Sequence, residues 1–169
     1  MKRFFSIVFC FVLLSTLTLE TSQKANASEA YDQAPFPHAV KVSEHTQPVS
    51  DDTYLTITIY EESVSTRASR YTKTGASVYT LKNNSGASLW QFTVQGTFII
   101  TSGISATCTA VSHSYEIYNT DWKYVSASSY RSGNSAYGNA EFIRKLLGIT
   151  VETEGCSLVL SCDVNGNLS

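Results

Sequence analysis

Trp90-Gln91-Phe92-Thr93-Val94-Gln95-Gly96-Thr97-Phe98-Ile99-Ile100 is the stretch on which the fold turns. Trp90, Phe92, Val94, Phe98 and Ile100 share one parity, while Gln91, Thr93, Gln95 and Thr97 hold the other. Successive side chains of an extended chain point to opposite sides, so this alternation lays five large apolar groups along one face of a strand. Gly96 breaks the row and marks a close approach or a bulge. This is the expected central strand.

The same two-residue rhythm continues outward in both directions. Upstream, Leu55, Ile57 and Ile59 alternate with Tyr54, Thr56, Thr58 and Tyr60. Weaker strand signals cover residues 63–71 and 77–82, and Asn83-Asn84-Ser85-Gly86 supplies turn residues that tolerate positive φ. Downstream, the small residues of Ile104, Ala106, Cys108 and Ala110 face the large ones of the central strand. Residues 122–131 lead through Ser132-Gly133-Asn134 into Ala136, Ala140 and Phe142. After Leu147-Gly148, Ile149, Val151 and Thr153 keep one parity and Leu158, Leu160 and Cys162 the other, so a bulge is expected at Gly155. About eight strands with short turns and no helical period predict an all-β protein, an antiparallel β-sandwich of roughly immunoglobulin-like architecture.

Three segments follow from the N-terminal half. Lys2 and Arg3 precede an apolar run over residues 4–19, and Ala25-Asn26-Ala27 has the small-x-small form of a cleavage site. Residues 1–27 are therefore read as a cleaved secretory signal, because a run interrupted by Ser6, Ser15, Thr16 and Thr18 falls short of the roughly 20 apolar residues of a spanning helix. Residues 28–52 hold Pro35, Pro37 and Pro48 without apolar periodicity and read as an extended leader. Residues 53–169 form the sandwich domain, secreted and without membrane attachment after cleavage.

Composition narrows the partners. Only 15% of the 169 residues are charged and the net charge is -2, which leaves no electrostatic footprint for nucleic acid. A mean hydropathy of -0.07 with 43% hydrophobic residues belongs to a globular chain.

Outside the signal, Cys108, Cys156 and Cys162 allow three pairings and leave one thiol over. Cys156 and Cys162 lie six residues apart in one strand, about 20 Å, beyond the roughly 7 Å reach of a disulfide. A disulfide between Cys108 and Cys162 is expected, with Cys108–Cys156 or reduced thiols as the alternatives.

The stretch from Ser85-Gly86 to Cys108, Trp122-Lys123, Ser132-Gly133-Asn134, Leu147-Gly148-Ile149 and residues 158–169 resembles a group of small secreted all-β proteins of Gram-positive Firmicutes with no assigned activity. The likeness covers about half the chain and rests on fold motifs: the Gly-x-Phe hairpin before Ala106-Thr107-Cys108-Thr109, and Leu160-Ser161-Cys162 followed by Asn165-Gly166. It implies an exported β domain and carries no catalytic residue. Cys156 departs from its pattern.

Residue chemistry points away from catalysis. Gly103-Ile104-Ser105-Ala106-Thr107 misses the nucleophile-elbow pattern at its last position. An odd separation sets Cys108 and His113 on opposite faces. Glu152 and Glu154 share a face about 7 Å apart, a spacing within the range of an inverting glycosidase, but spacing alone is weak evidence and the pair is read as a solvated strand face whose carboxylates discourage edge-to-edge pairing. Asp163, Asn165 and Asn167 alternate like calcium ligands, but the glycine is misplaced and the twelfth-position acid is missing. His38, His45 and His113 lack zinc spacing. No metal or cofactor is expected.

Ten tyrosines remain the conspicuous feature. Tyr54, Tyr60, Tyr79, Tyr118 and Tyr137 are expected opposite the core face, where flat rings with a hydroxyl suit stacking on a sugar or contact with a protein. The sequence thus predicts a noncatalytic, secreted module that binds a protein or glycan through a tyrosine-bearing sheet face. The alternatives are a small secreted hydrolase and an antibacterial or other effector.

Overall fold

The computed structural model describes residues 34–63 and 68–169. Eight antiparallel strands form a sandwich: β1 (Ala39–Pro48), β2 (Thr53–Glu62), β3 (Arg70–Asn83), β4 (Ser88–Thr101), β5 (Ser105–Ile117), β6 (Trp122–Ser132), β7 (Ser135–Leu146) and β8 (Ile149–Ser161). The first five make one sheet in the order β1-β2-β3-β4-β5, and the last three make the second in the order β6-β7-β8. Within each sheet every strand pairs with its neighbour in sequence, so each sheet is a meander. The likeness to an immunoglobulin sandwich lies in the layering, since Greek-key connections are absent among the described strands.

The alternation in β4 is fully used. Trp90, Phe92, Val94, Phe98 and Ile100 are each 0% exposed and meet Ala136, Phe142, Leu158 and Leu160 of the second sheet. Trp90 is stacked between Tyr79 at 5.2 Å and Phe142 at 4.1 Å, with the Trp122 ring against its edge. Glycine brings the layers together: a Cβ on Gly138 would overlap Val94, and one on Gly96 would sit 3.0 Å from the Ala136 Cβ. β3 faces β8, β4 faces β7 and β5 faces β6, leaving β1 and β2 projecting past the edge of the smaller sheet.

The turns follow their residues. Asn83 Oδ1 accepts hydrogen bonds from the Ser85 and Ala87 amides, and Gly86 takes φ 86°. Gly133 takes φ 57° in the two-residue connection between Ser132 and Ser135, the glycine-first form suited to the twist of a hairpin.

Four expectations are corrected. The sheet begins well before residue 53, because Ala39–Pro48 pairs along β2 from Ala39↔Glu62 to Pro48↔Tyr54. This edge strand is exposed on both faces, which removes the apolar alternation that would have revealed it. Second, residues 70–83 form one long strand rather than two weak ones, and 64–67, inside the first of those signals, lie outside the described residues. Third, β8 does not change phase at Gly155. Its register slips opposite Arg144/Lys145, Ile149 and Val151 are solvent-exposed, and Glu152 and Glu154 share the inward parity of Cys156 and Leu158. Fourth, the disulfide is absent: Cys108, Cys156 and Cys162 are all buried free thiols. The Cys108 and Cys162 thiols point at the Ala110 and Asp163 carbonyls, and their amides bond separately to Gly133 and Asn134 in the β6–β7 turn. The signal reading over residues 1–27 lies outside the described residues.

Candidate binding face on the smaller sheet

The tyrosines singled out from the sequence divide among three places. Tyr79 belongs to the core, stacked on Trp90. Burial of its phenol, followed by the nearby Cys156 and Glu154, pushes its pKa up to about 12. Tyr54, Tyr60 and Tyr118 belong to the outer side of the larger sheet. Tyr60 is buried there together with Thr56, Thr58, Val78, Thr80 and Thr93, and Ala34 and Pro35 line a cleft over Gln91, Thr93, Ser114 and Glu116. The Tyr118 hydroxyl is shared between Glu116 Oε2 at 2.6 Å and Gln91 Oε1 at 3.3 Å. Tyr137 sits on the opposite outside of the molecule. One continuous face carrying all five does not form, because the parity in β3 turns Tyr79 inward and the two-sheet layering separates the others.

Tyr137 instead has a partner that the sequence reading missed. Ser132↔Ser135 closes the β6–β7 hairpin, so Tyr130 falls directly opposite Tyr137. Their rings stack with centroids 4.8 Å apart and planes within 5°. Tyr130 is 53% exposed, and Val159 of β8 completes the row beside Tyr137. The signal was available: the two tyrosines stand at equal distances from the Gly133-Asn134 turn, and a two-residue hairpin fixes that register.

Beyond the aromatic row, the registers of the two pairings build a polar surface. Ser128, Asn139 and Ser157 form the next row, and Ser126, Glu141 and Gly155 the one after it. Ser157 donates to Asn139 Oδ1 at 2.8 Å, which fixes the amide. A shallow depression is lined by Ser126, Ser128, Asn139 and Glu141, beside Gly155, which offers no side chain. Rows recur about every 7 Å along a strand, so aromatic and polar groups share one flat face roughly 14 Å long. Hydroxyls, an amide, a carboxylate and exposed ring faces on a rigid sheet match the chemistry of a polyhydroxylated ligand.

Comparison with protein-family models, curated proteins and solved structures finds no match to this chain.

The other candidate chemistry resolves into structure. Thr109 is the extra residue of a bulge between Thr97↔Ala110 and Phe98↔Cys108, so Cys108 and His113 share the inward parity after all. Phe98 and Val94, their partners, are four residues apart, and His113 Nδ1 bonds to Ser129 Oγ at 2.9 Å instead. Burial pushes the Cys108 thiol up, that of Cys156 to about 12 and that of Cys162 to about 11, the opposite of an activated nucleophile. Glu152 pairs with Arg144 at 3.5 Å, while Glu154 is half-buried and burial, then Glu152, raises its pKa. The Asp163 carboxylate accepts from the Asn165 amide, the Asn167 amide and the Asn167 side chain, each at 2.8 Å. It closes a turn with the oxygens a cation would need, and no cluster of metal-ligating side chains occurs among the described residues.

Proposed function

We propose that this protein is a secreted, noncatalytic glycan-binding module whose contact surface is the outer face of the β6-β7-β8 sheet. The observation that carries this reading is the stack of exposed Tyr130 on half-buried Tyr137, continuous with rows of Ser, Asn and Glu side chains. A protein-binding hot spot sits in a well-packed pocket that is fully desolvated at the centre of its interface. Here the neighbours are short and polar, which favours hydroxyl groups held between hydrogen bonds and a ring face. The export reading of residues 1–27 places the module outside the cell, where such polymers are presented.

The test is a glycan-array and polysaccharide pull-down screen with the parent protein and the Tyr130→Ser/Tyr137→Ser double variant. Retention of the parent on a glycan class, reduced at least tenfold in the variant, supports the reading. Equal retention, or no retention of the parent on any glycan, removes it.

A further inference from the structure

The two sheets differ in width, and the mismatch leaves a place for a strand. β1 and β2 extend beyond β8, and β2 carries Ile57 and Ile59 on its inward side, half-buried at the margin of the core. Among the described residues, β8 is the edge of that sheet and pairs with β7 alone along most of its length. At its last residue, however, the edge is already in use. Ser161 and Ser169 exchange both backbone hydrogen bonds, at 2.8 and 3.0 Å, and Cys162 bridges Leu168 in the antiparallel sense. Leu168 inserts its side chain into the core beside Gly75 and Leu160.

This short pairing fixes the geometry of the remainder. Backbone groups alternate sides along a strand, so if Ser161 points away from β7, then Val159, Ser157, Gly155 and Thr153 do too. Among the described residues their N–H and C=O groups form an open ladder in line with Ser169. The inward residues between them are Leu160, Leu158, Cys156 and Glu154. Glu154 is half-buried and has no ion-pair or hydrogen-bond partner among the described residues.

We infer that the fourth position of the smaller sheet, between the β8 edge and Ile57/Ile59 of β2 and unoccupied among the described residues, receives an extended segment of another protein that runs antiparallel to β8, with apolar side chains opposite Leu160 and Leu158 and a basic one opposite Glu154. Strand addition supplies affinity through main-chain bonds and specificity through alternate side chains. The apolar residues cover Ile57 and Ile59, and a cation neutralises the desolvated carboxylate. A second copy does not fit this position. Antiparallel β8–β8 pairing turns the copies about an axis normal to the sheet and drives the partner's larger sheet into the space held by β1 and β2. The overhang, two strands or about 10 Å wide, accommodates an isolated strand. Ala34 and Pro35, ahead of β1, sit over the far side of the larger sheet.

The probe is a blocked synthetic peptide, Val-Thr-Val-Thr-Ala-Thr-Lys-Thr, which starts opposite Leu160 next to Ser169, titrated into the full chain and followed by amide hydrogen exchange. Without peptide, the amides of Thr153, Gly155, Ser157 and Val159 exchange at least tenfold faster than those of Glu154, Cys156, Leu158 and Leu160. With peptide, the first set gains at least tenfold protection. Glu154→Gln weakens binding of the lysine peptide but not of the same peptide with norleucine in place of lysine, and Ile59→Arg abolishes both. The inference is overturned if the first set is protected in the protein alone, if saturating peptide leaves those amides unprotected, or if folded Ile59→Arg binds as the parent does. The Tyr130/Tyr137 face is untouched by these variants, so failure here and failure of the glycan reading are separate results.

Discussion

Gly138 of β7 lies against Val94 of β4 so closely that a Cβ at position 138 would overlap the valine methyl, with the Phe92 ring 3.2 Å away on the other side. The glycine is selected by the distance between sheets rather than by its φ, which is not positive. Gly138→Ala is expected to destabilise the protein by about 1–3 kcal/mol, the usual range for overpacking a dense core. Val94→Ala in the same chain recovers part of that loss, a coupling visible in a double-mutant cycle by denaturant unfolding. Gly155→Ala, at a site with nothing within 4 Å, changes stability by no more than about 0.5 kcal/mol.

Tyr130 and Tyr137 are expected to separate binding from folding. Replacing both with Ser removes an exposed cross-strand pair, a loss of about 1 kcal/mol or less. The unfolding midpoint should shift only by the amount that loss allows, with the transition still cooperative, while glycan retention is lost.

Stability should fall in alkali. Burial raises the Cys156 thiol and the Tyr79 phenol to about 12 and the Cys162 thiol to about 11. In the unfolded chain the same groups ionise near 9 and 10, so the unfolded state loses protons first. Their contribution is complete below about pH 9 and declines as pH rises toward about 12. Denaturation midpoints measured across that window should drop, and Cys156→Ala should flatten the slope. At neutral pH the native thiols should resist iodoacetamide until denaturant is added.

Lys73 Nζ reaches Glu61 Oε2 at 2.7 Å and the Gly166 carbonyl at 2.8 Å, tying β2 and β3 to the turn after β8. The lysine side chain is only 13% exposed, so Glu61→Ala leaves a poorly hydrated ammonium. A loss of about 2 kcal/mol is expected, with faster amide exchange at Gly166, and Lys73→Met in the Glu61→Ala background should restore part of it.

Asp163 should stay ionised into acid. Hydrogen bonds from the Asn167 amide and side chain, and then from the Asn165 and Gly166 amides, hold its carboxyl below its ordinary value of 3.8. The stabilising contribution is present above that value and disappears only as pH falls through the depressed one. The Asn165 and Asn167 amide resonances should therefore titrate with a midpoint under 3.8, and millimolar calcium should leave them unmoved.

The candidate face was half legible. Tyr137 was singled out from its parity, and Tyr130, its partner across a two-residue hairpin, was recoverable from the same register argument. Tyr79 was assigned outward because β3 is buried on both faces from Ala76 to Leu81, and a strand covered on both sides carries no alternation that distinguishes them. Glu152 and Glu154 were assigned to a solvated face because exposed Ile149 and Val151 imitate an inward row.

Covalent alternation and turn chemistry, both local, determined most of the strands from β2 onward, their antiparallel order and the central row from Trp90 to Ile100. Tertiary structure alone decided which side of each strand is covered, where Thr109 and the Arg144/Lys145 slip reset the parity, and that five strands overhang three. Those outcomes depend on the separation and width of two packed sheets, and a period of two says which side chains travel together without saying what lies above them.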